Sequence, residues 1–161
     1  MDSVPLEAAY AFRTAAAEAV GDAWEKLDPD DRAAADTALT RTLLADRALA
    51  AAARDVLAGH AAVVDCRAAV DEAAVAALCA STSYQERIAR LRTDAGWLVE
   101  TVTSTPDSLA ATPVALHLLD STGRPLPERH LPWREAVRVM VTDHIPRSTS
   151  RLAALSGAVR V

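Results

Sequence analysis

The chain of 161 residues has no asparagine, one lysine, one phenylalanine and five glycines, and aromatic residues make up only 4% of it. Neither a phosphate-cradling glycine loop nor a G-x-S-x-G elbow is present, which disfavours a nucleotide-binding enzyme. The two cysteines, Cys66 and Cys79, form no CxxC and no Cys/His cluster. They read as reduced, packed thiols, and neither a metal nor a cofactor is expected. No apolar run reaches the ~18 residues that a membrane-crossing helix needs. The opening residues MDSVPLEAAYAFR lack a basic region followed by a hydrophobic stretch and a cleavage site, so a cytoplasmic protein is expected. Positive charge is also short: the net charge is -5, with 17 basic against 22 acidic residues. A strong phosphate-binding surface normally shows a basic excess, so free nucleic acid is disfavoured as the main partner.

What the chain does have is alanine, 37 residues of it, within an apolar content of 51%. Alanine is the best helix former and lets helix axes approach closely, so closely packed helices follow. A length of this order suits one continuous core, and a single domain over 1–161 is expected.

Leu6, Tyr10, Arg13, Ala17, Val20, Trp24 and Leu27 recur at alternating spacings of four and three, which places them on one stripe of a helix from Pro5 to Leu27. Arg13 is the exception in character; it reads as an arginine snorkelling to the edge of the seam, with an ion pair or ligand role as the alternative. Asp28-Pro29-Asp30-Asp31 supplies an N-cap, a first-turn proline and acids at the positive end of a second helix, which Gly59 stops. Its alanine tract from Ala48 to Ala53 calls for a crowded central position or a partner's surface. Val63, Cys66, Val70, Ala73 and Ala77 predict a third helix over 61–80. Ser83 and Glu86 have the form of a capping box opening a fourth, whose seam is Tyr84, Ile88, Leu91, Ala95, Leu98 and Val102. Arg87, Arg90 and Glu100 fall off that seam, and the arginines read as a solvated face. A helix-turn-helix opening there is contradicted by Trp97 to Val102, which continues the seam where a turn is required.

The fold class expected is therefore mainly α. Residues 1–104 form a four-helix up-down bundle, and 105–161 form a short β-hairpin with one or two capping helices packed on it. Thr105-Pro106 caps a helical turn through Leu109, and Val114, Leu116 and Leu118 alternate as a strand does. Asp120-Ser121-Thr122-Gly123 suits a type I turn. Pro125, Pro127 and Pro132 keep the return strand short and at an edge. A helix follows over Trp133 to Asp143, with Trp133, Ala136, Val137, Met140 and Val141 on one face. Pro146 is expected to end it, and Arg147 to Val161 to form at most one further short helix around Leu152 and Leu155.

VALHLLD at 114–120, the pair Pro125-Leu126 and WREAVRVMVT at 133–142 together resemble the strand-turn-helix segment ahead of the catalytic core in some bacterial HNH endonucleases. The motif is mostly apolar. The family's catalytic histidines, asparagine and zinc-binding cysteine pairs have no counterpart here, so the resemblance implies a shared packing module and carries over no nuclease site.

Three functional readings follow. The leading one is a non-catalytic protein-protein interaction or assembly subunit, self-associating or part of a larger complex, with Leu6, Tyr10, Arg13, Trp24, Trp97 and Trp133 as interaction residues. The alternative is a small-molecule enzyme or binding protein with a pocket between the bundle and residues 117–144, where His117, His130, His144 and Asp120 are the candidates for proton transfer. Glu128 and Asp143 are carboxylates able to orient those histidines, although His144 is also explained by a helix C-terminus that favours a cation. A nucleic-acid-associated accessory protein, resting on the HNH resemblance and on Arg87, Arg90 and Arg92, comes third.

Overall fold

The computed structural model describes residues 1–120 and 122–157, so the expectations for Ser121 and for 158–161 lie outside the described residues. The chain is mainly helical with a small three-stranded sheet. Helix α1 spans Val4–Asp22 and ends in a 3-10 turn at Trp24–Lys26 that seats Leu27 in the core. Helix α2 spans Pro29–Leu57 and starts as its sequence dictates, the Asp28 carboxylate accepting the Asp31 amide at 2.8 Å. It stops at Gly59 because that residue takes φ +74°, a conformation costly to any residue with a Cβ. The Gly59 amide then donates to the Val56 carbonyl and the His60 amide to that of Asp55, each at 2.9 Å, closing a Schellman motif. Ala50, Ala52 and Ala53 are buried, which gives the alanine tract its crowded central position.

Residues 61–71 depart from the expected third helix. Ala62–Asp65 is strand β1, Cys66–Val70 is a 3-10 turn, and helix α3 is confined to Glu72–Ser81. The β-branched pair Val63-Val64 alternates outside and inside, with Val63 45% exposed and Val64 fully buried. That is the period of a strand, and a helical stripe through Val63 and Cys66 cannot satisfy it.

Helix α4, Tyr84–Ser104, carries the expected capping box, and all six of its seam residues are buried. A turn over Pro106 to Ala110, where a helical turn was expected, leads to strand β2, Pro113–His117. β2 pairs parallel with β1, Val64 opposite Leu116, and antiparallel with strand β3, Arg129–Pro132, Ala115 opposite His130. The hairpin therefore exists with a short edge strand, but its first strand is the centre of a sheet. Gly123 has φ +83° and its amide donates to the Asp120 carbonyl at 3.1 Å, as the turn requires.

Pro146 does not end the last helix. Helix α5, Trp133–Val139, runs through a π turn, Met140–His144, directly into helix α6, Ile145–Gly157. The Ile145 amide reaches back to the Met140 carbonyl, so the ladder has already widened before Pro146, which has no amide to donate. α1 packs on α4 and α6, and α2 packs on the same two, so four helices close a ring. The fourth member is α6, where the sequence had suggested residues 61–80.

Two apolar clusters fill the interior. One joins Leu49, Val56, Leu98, Met140 and Trp133 to the sheet through Val64, Val114 and Leu116. The other joins Val20, Leu39, Leu43, Ile88, Leu91 and Leu152. No helix among the described residues is long and apolar enough to cross a membrane.

Candidate functional site

Between the two apolar clusters lies a polar layer with one contributor from each wall of the ring. On α1, Arg13 sits between Tyr10 and Ala17; on α2, Asp46 sits between Leu43 and Leu49. On α4, Asp94 lies between Leu91 and Ala95, and the π turn supplies His144. Arg13 and Asp46 are 1% and 0% exposed and form a two-pronged ion pair, with the Arg13 Nη1 to Asp46 Oδ1 bond at 3.0 Å. The guanidinium also stacks 4.6 Å from the centre of the Tyr10 ring. Arg13 thus does not snorkel; its charge is held inside by a carboxylate. Burial pushes the Asp46 carboxyl above its ordinary range, and the facing guanidinium opposes that. Tyr10 Oη and Arg13 Nε are buried and have no hydrogen-bond partner among the described residues.

This layer borders a cleft of about 520 Å³ between α2, the 3-10 turn at Cys66–Val70, the Asp120–Gly123 turn and the α6 side of the last helix. That volume falls within the ~300–1,000 Å³ of small-molecule sites. Its floor is made of small residues, among them Ala33, Ala34, Ala38, Ala45 and Ala69, with the side chains of Thr37 and Thr42 beside them. Arg41, Arg147, Arg151 and His144 line it as well, and Asp120 is the one acid of that lining. Arg147 pairs with Asp143 at 2.6 Å, while Arg41 has neither an ion pair nor a hydrogen bond among the described residues. Burial, with the nearby Arg13 charge adding to it, lowers the His144 imidazole to about 4. The ring is neutral at physiological pH, and the expected cation at a helix end is not formed because the helix does not end there.

The remaining candidates disperse. Asp120 reaches the cleft rim, but its Oδ1 accepts from the Thr122 amide and hydroxyl at 2.7 Å each and from the Arg124 amide at 3.0 Å. These bonds hold its carboxyl below its ordinary range, which suits a turn and not a general acid. His117 and His130 do come together across the hairpin: Glu128 lies 3.3 Å from His117 Nε2 and 2.6 Å from His130 Nε2. His130 is 69% exposed, and neither histidine lines the cleft. Among the described residues no group of three His, Cys, Asp or Glu side chains is placed to hold a metal ion.

Of the residues considered for interaction, Leu6, Tyr10, Arg13 and Trp133 are interior to this chain, each at most 3% exposed. Trp24 stacks on Tyr84 at 4.6 Å and Trp97 lies beneath the Arg54 guanidinium at 4.7 Å. Arg87 is also interior, contrary to a solvated face. It is 1% exposed, its Nη1 donates to the Thr82 and Cys79 carbonyls that close α3, and its Nη2 reaches the Asp36 carboxylate. Cys66 and Cys79 are free thiols, and burial pushes Cys66 up to about 12.

A second groove of about 520 Å³ runs between the start of α1 and α5, but it mixes charges of both signs, Asp2, Asp107 and Glu135 with Arg134 and Arg138, and has no basic excess. Sequence reasoning missed Arg41, Arg147 and Arg151. The last two stand four apart on one helix face, a spacing concealed by treating Pro146 as a stop. Compared with protein families, curated proteins and solved structures, the chain has no match, so the reading of the cleft stands on its geometry.

Proposed function

We propose that the chain is a small-molecule-binding protein whose ligand occupies the cleft between α2 and α6. One observation carries the reading: a concavity of about 520 Å³ is lined by a run of alanines together with Arg41, Arg147, Arg151 and His144. Small apolar walls supply dispersion contacts, and a few convergent polar groups fix orientation, which is the usual composition of such sites. Of the proton-transfer candidates, Asp120 and His144 line this space; Asp120 is engaged by its own turn, which leaves His144, a neutral imidazole able to accept or donate. Binding is therefore the function proposed, with His144 the position at which chemistry would be sought.

The test is a thermal-shift screen of the full chain against small organic molecules, repeated on Ala34→Trp. Ala34 lines the cleft and is exposed, so a tryptophan there obstructs the space without displacing core. Hits raise the melting temperature of the wild type and lose that effect in Ala34→Trp. Hits that stabilise both proteins equally would refute the reading.

The assembly reading keeps one specific support. Val4, Ala8, Ala11, Phe12, Ala15 and Ala19 are exposed along the outer face of α1, Phe12 at 73% and Val4 at 68%. Spacings of three and four make this an apolar stripe of the kind helices bury against other helices. It faces away from the buried seam through which α1 packs on α4 and α6.

A further inference from the structure

Charge separates the two concavities. The chain carries a net charge of -5, yet the cleft by α6 is lined by three arginines, Arg41, Arg147 and Arg151, and by one carboxylate, Asp120, with Asp143 paired to Arg147 beside it. Asp120 is occupied by its own turn, with Oδ1 taking three bonds from Thr122 and Arg124. Local inversion of the overall sign, inside a concave surface with low-dielectric walls, focuses a positive potential where a ligand would enter. The arginines come from opposite walls: Arg41 from α2, and Arg147 and Arg151 from one face of α6. Planar guanidinium groups suit carboxylate and phosphate oxygens, binding them in pairs.

We infer that the cleft binds a small organic anion, whose carboxylate or phosphate group is held by Arg41 and Arg147 and whose compact apolar part rests on Ala34 and Ala38. This rests on the reading of the cleft as a ligand site and goes further in naming the ligand's chemistry. An anion arriving there gives Arg41 a counter-charge that the described chain does not provide, and it shares Arg147 with Asp143. A neutral His144 next to it contributes a hydrogen bond with no charge of its own. The alanine walls favour an apolar body for the rest of the molecule, since polar groups buried against methyls are left without partners.

The experiment follows amide resonances of the isotopically labelled full chain during titration with phenyl phosphate, benzoate and benzyl alcohol. Expected are shifts centred on Thr37, Ala38, Thr42 and Ser148, saturating for at least one of the two anions by about 10 mM. Benzyl alcohol, which has the same apolar body without the charge, should bind about tenfold more weakly or less. The tighter of the two anions identifies phosphate or carboxylate as the group preferred. Arg41→Gln and Arg147→Gln should each weaken that anion about tenfold, whereas Arg129→Gln, outside the cleft, should leave it unchanged. Both cleft positions are solvent-accessible, and the amide spectrum itself reports whether each variant is folded. Benzyl alcohol binding as well as the anions at these amides, indifferent to the arginine variants, would overturn the anion inference and leave the cleft reading standing. Anions shifting only amides remote from the cleft would overturn the inference and count against the cleft as well.

Discussion

His144 ties the stability of this protein to pH in a direction that can be worked out. Its folded value of about 4 lies below the ordinary 6.5, because protonation would place a cation in a half-buried position already facing Arg13, Arg147 and Arg151, with Asp143 the opposing charge. In the interval between those values the unfolded chain binds a proton at this site that the folded chain does not. Stability is therefore fully present above about pH 6.5 and falls as the pH drops toward 4. Lowering the pH from about 7.5 to about 5.5 should remove about 1.3 kcal/mol through this one group, an upper figure for an imidazole that lines a cleft. For a chain of this length that is about 4 °C in melting temperature. The assay is calorimetry of the wild type and His144→Gln across that range. Contributions common to both proteins cancel in the difference, including those of the carboxyls raised by burial, Asp46 and Asp94. The variant should lose about 4 °C less than the wild type on acidification. An identical fall in both proteins would refute the reasoning, since His144 would then titrate alike in the folded and unfolded chains.

Two other predictions address the polar layer and the outer stripe. Arg13→Met leaves the Asp46 carboxylate buried without its partner and should cost about 3–5 kcal/mol in urea unfolding, while Arg13→Met with Asp46→Leu should be more stable than either single variant. Costs that simply add would show that the pair is not coupled as its geometry states. If the exposed face of α1 joins copies of the chain, sedimentation at micromolar concentration gives a mass above the monomer, and Phe12→Ser lowers it; a wild-type monomer throughout would refute the assembly reading.

Local signals were legible where one residue or spacing determines the backbone. Asp28, Gly59, the Ser83-Glu86 box and Gly123 each act within a few residues, and each does what its chemistry demands. The α4 seam was legible because six apolar residues at spacings of three and four have one common face. Residues 61–71 were not, because alanine and valine at near-helical spacing also fit a short strand followed by a 3-10 turn. Pairing with β2 decides between them, and β2 lies some fifty residues later in the chain. Arg13 and Arg87 were misjudged for a related reason: the partners Asp46 and Asp36 lie on α2, and nothing in the local pattern of α1 or α4 announces them. Of the candidate site, His144 and Asp120 were picked out, while the three arginines and the alanine floor were not.

The two largest departures from the sequence reading are also what make the cleft. Had residues 61–80 formed a helix along α2, its side chains would have packed on Ala34, Ala38 and Ala45, since alanines of this kind let helix axes approach. The chain instead pairs β1 with the sheet, the short turn bearing Ala69 and Val70 lines the cleft beside that stretch of α2, and α3 meets α2 through Cys79, beside Thr40 and the Asp36 carbonyl. Had Pro146 ended the helix, Arg147 and Arg151 would belong to no fixed face. The π turn admits the proline, carries the helix past it and sets both arginines across from Arg41 on α2. Residues suited to helix packing are thereby left as a wall, and charges suited to a surface are turned toward it. Wide turns of this kind are frequent at functional sites, where an irregular backbone is retained for what it positions.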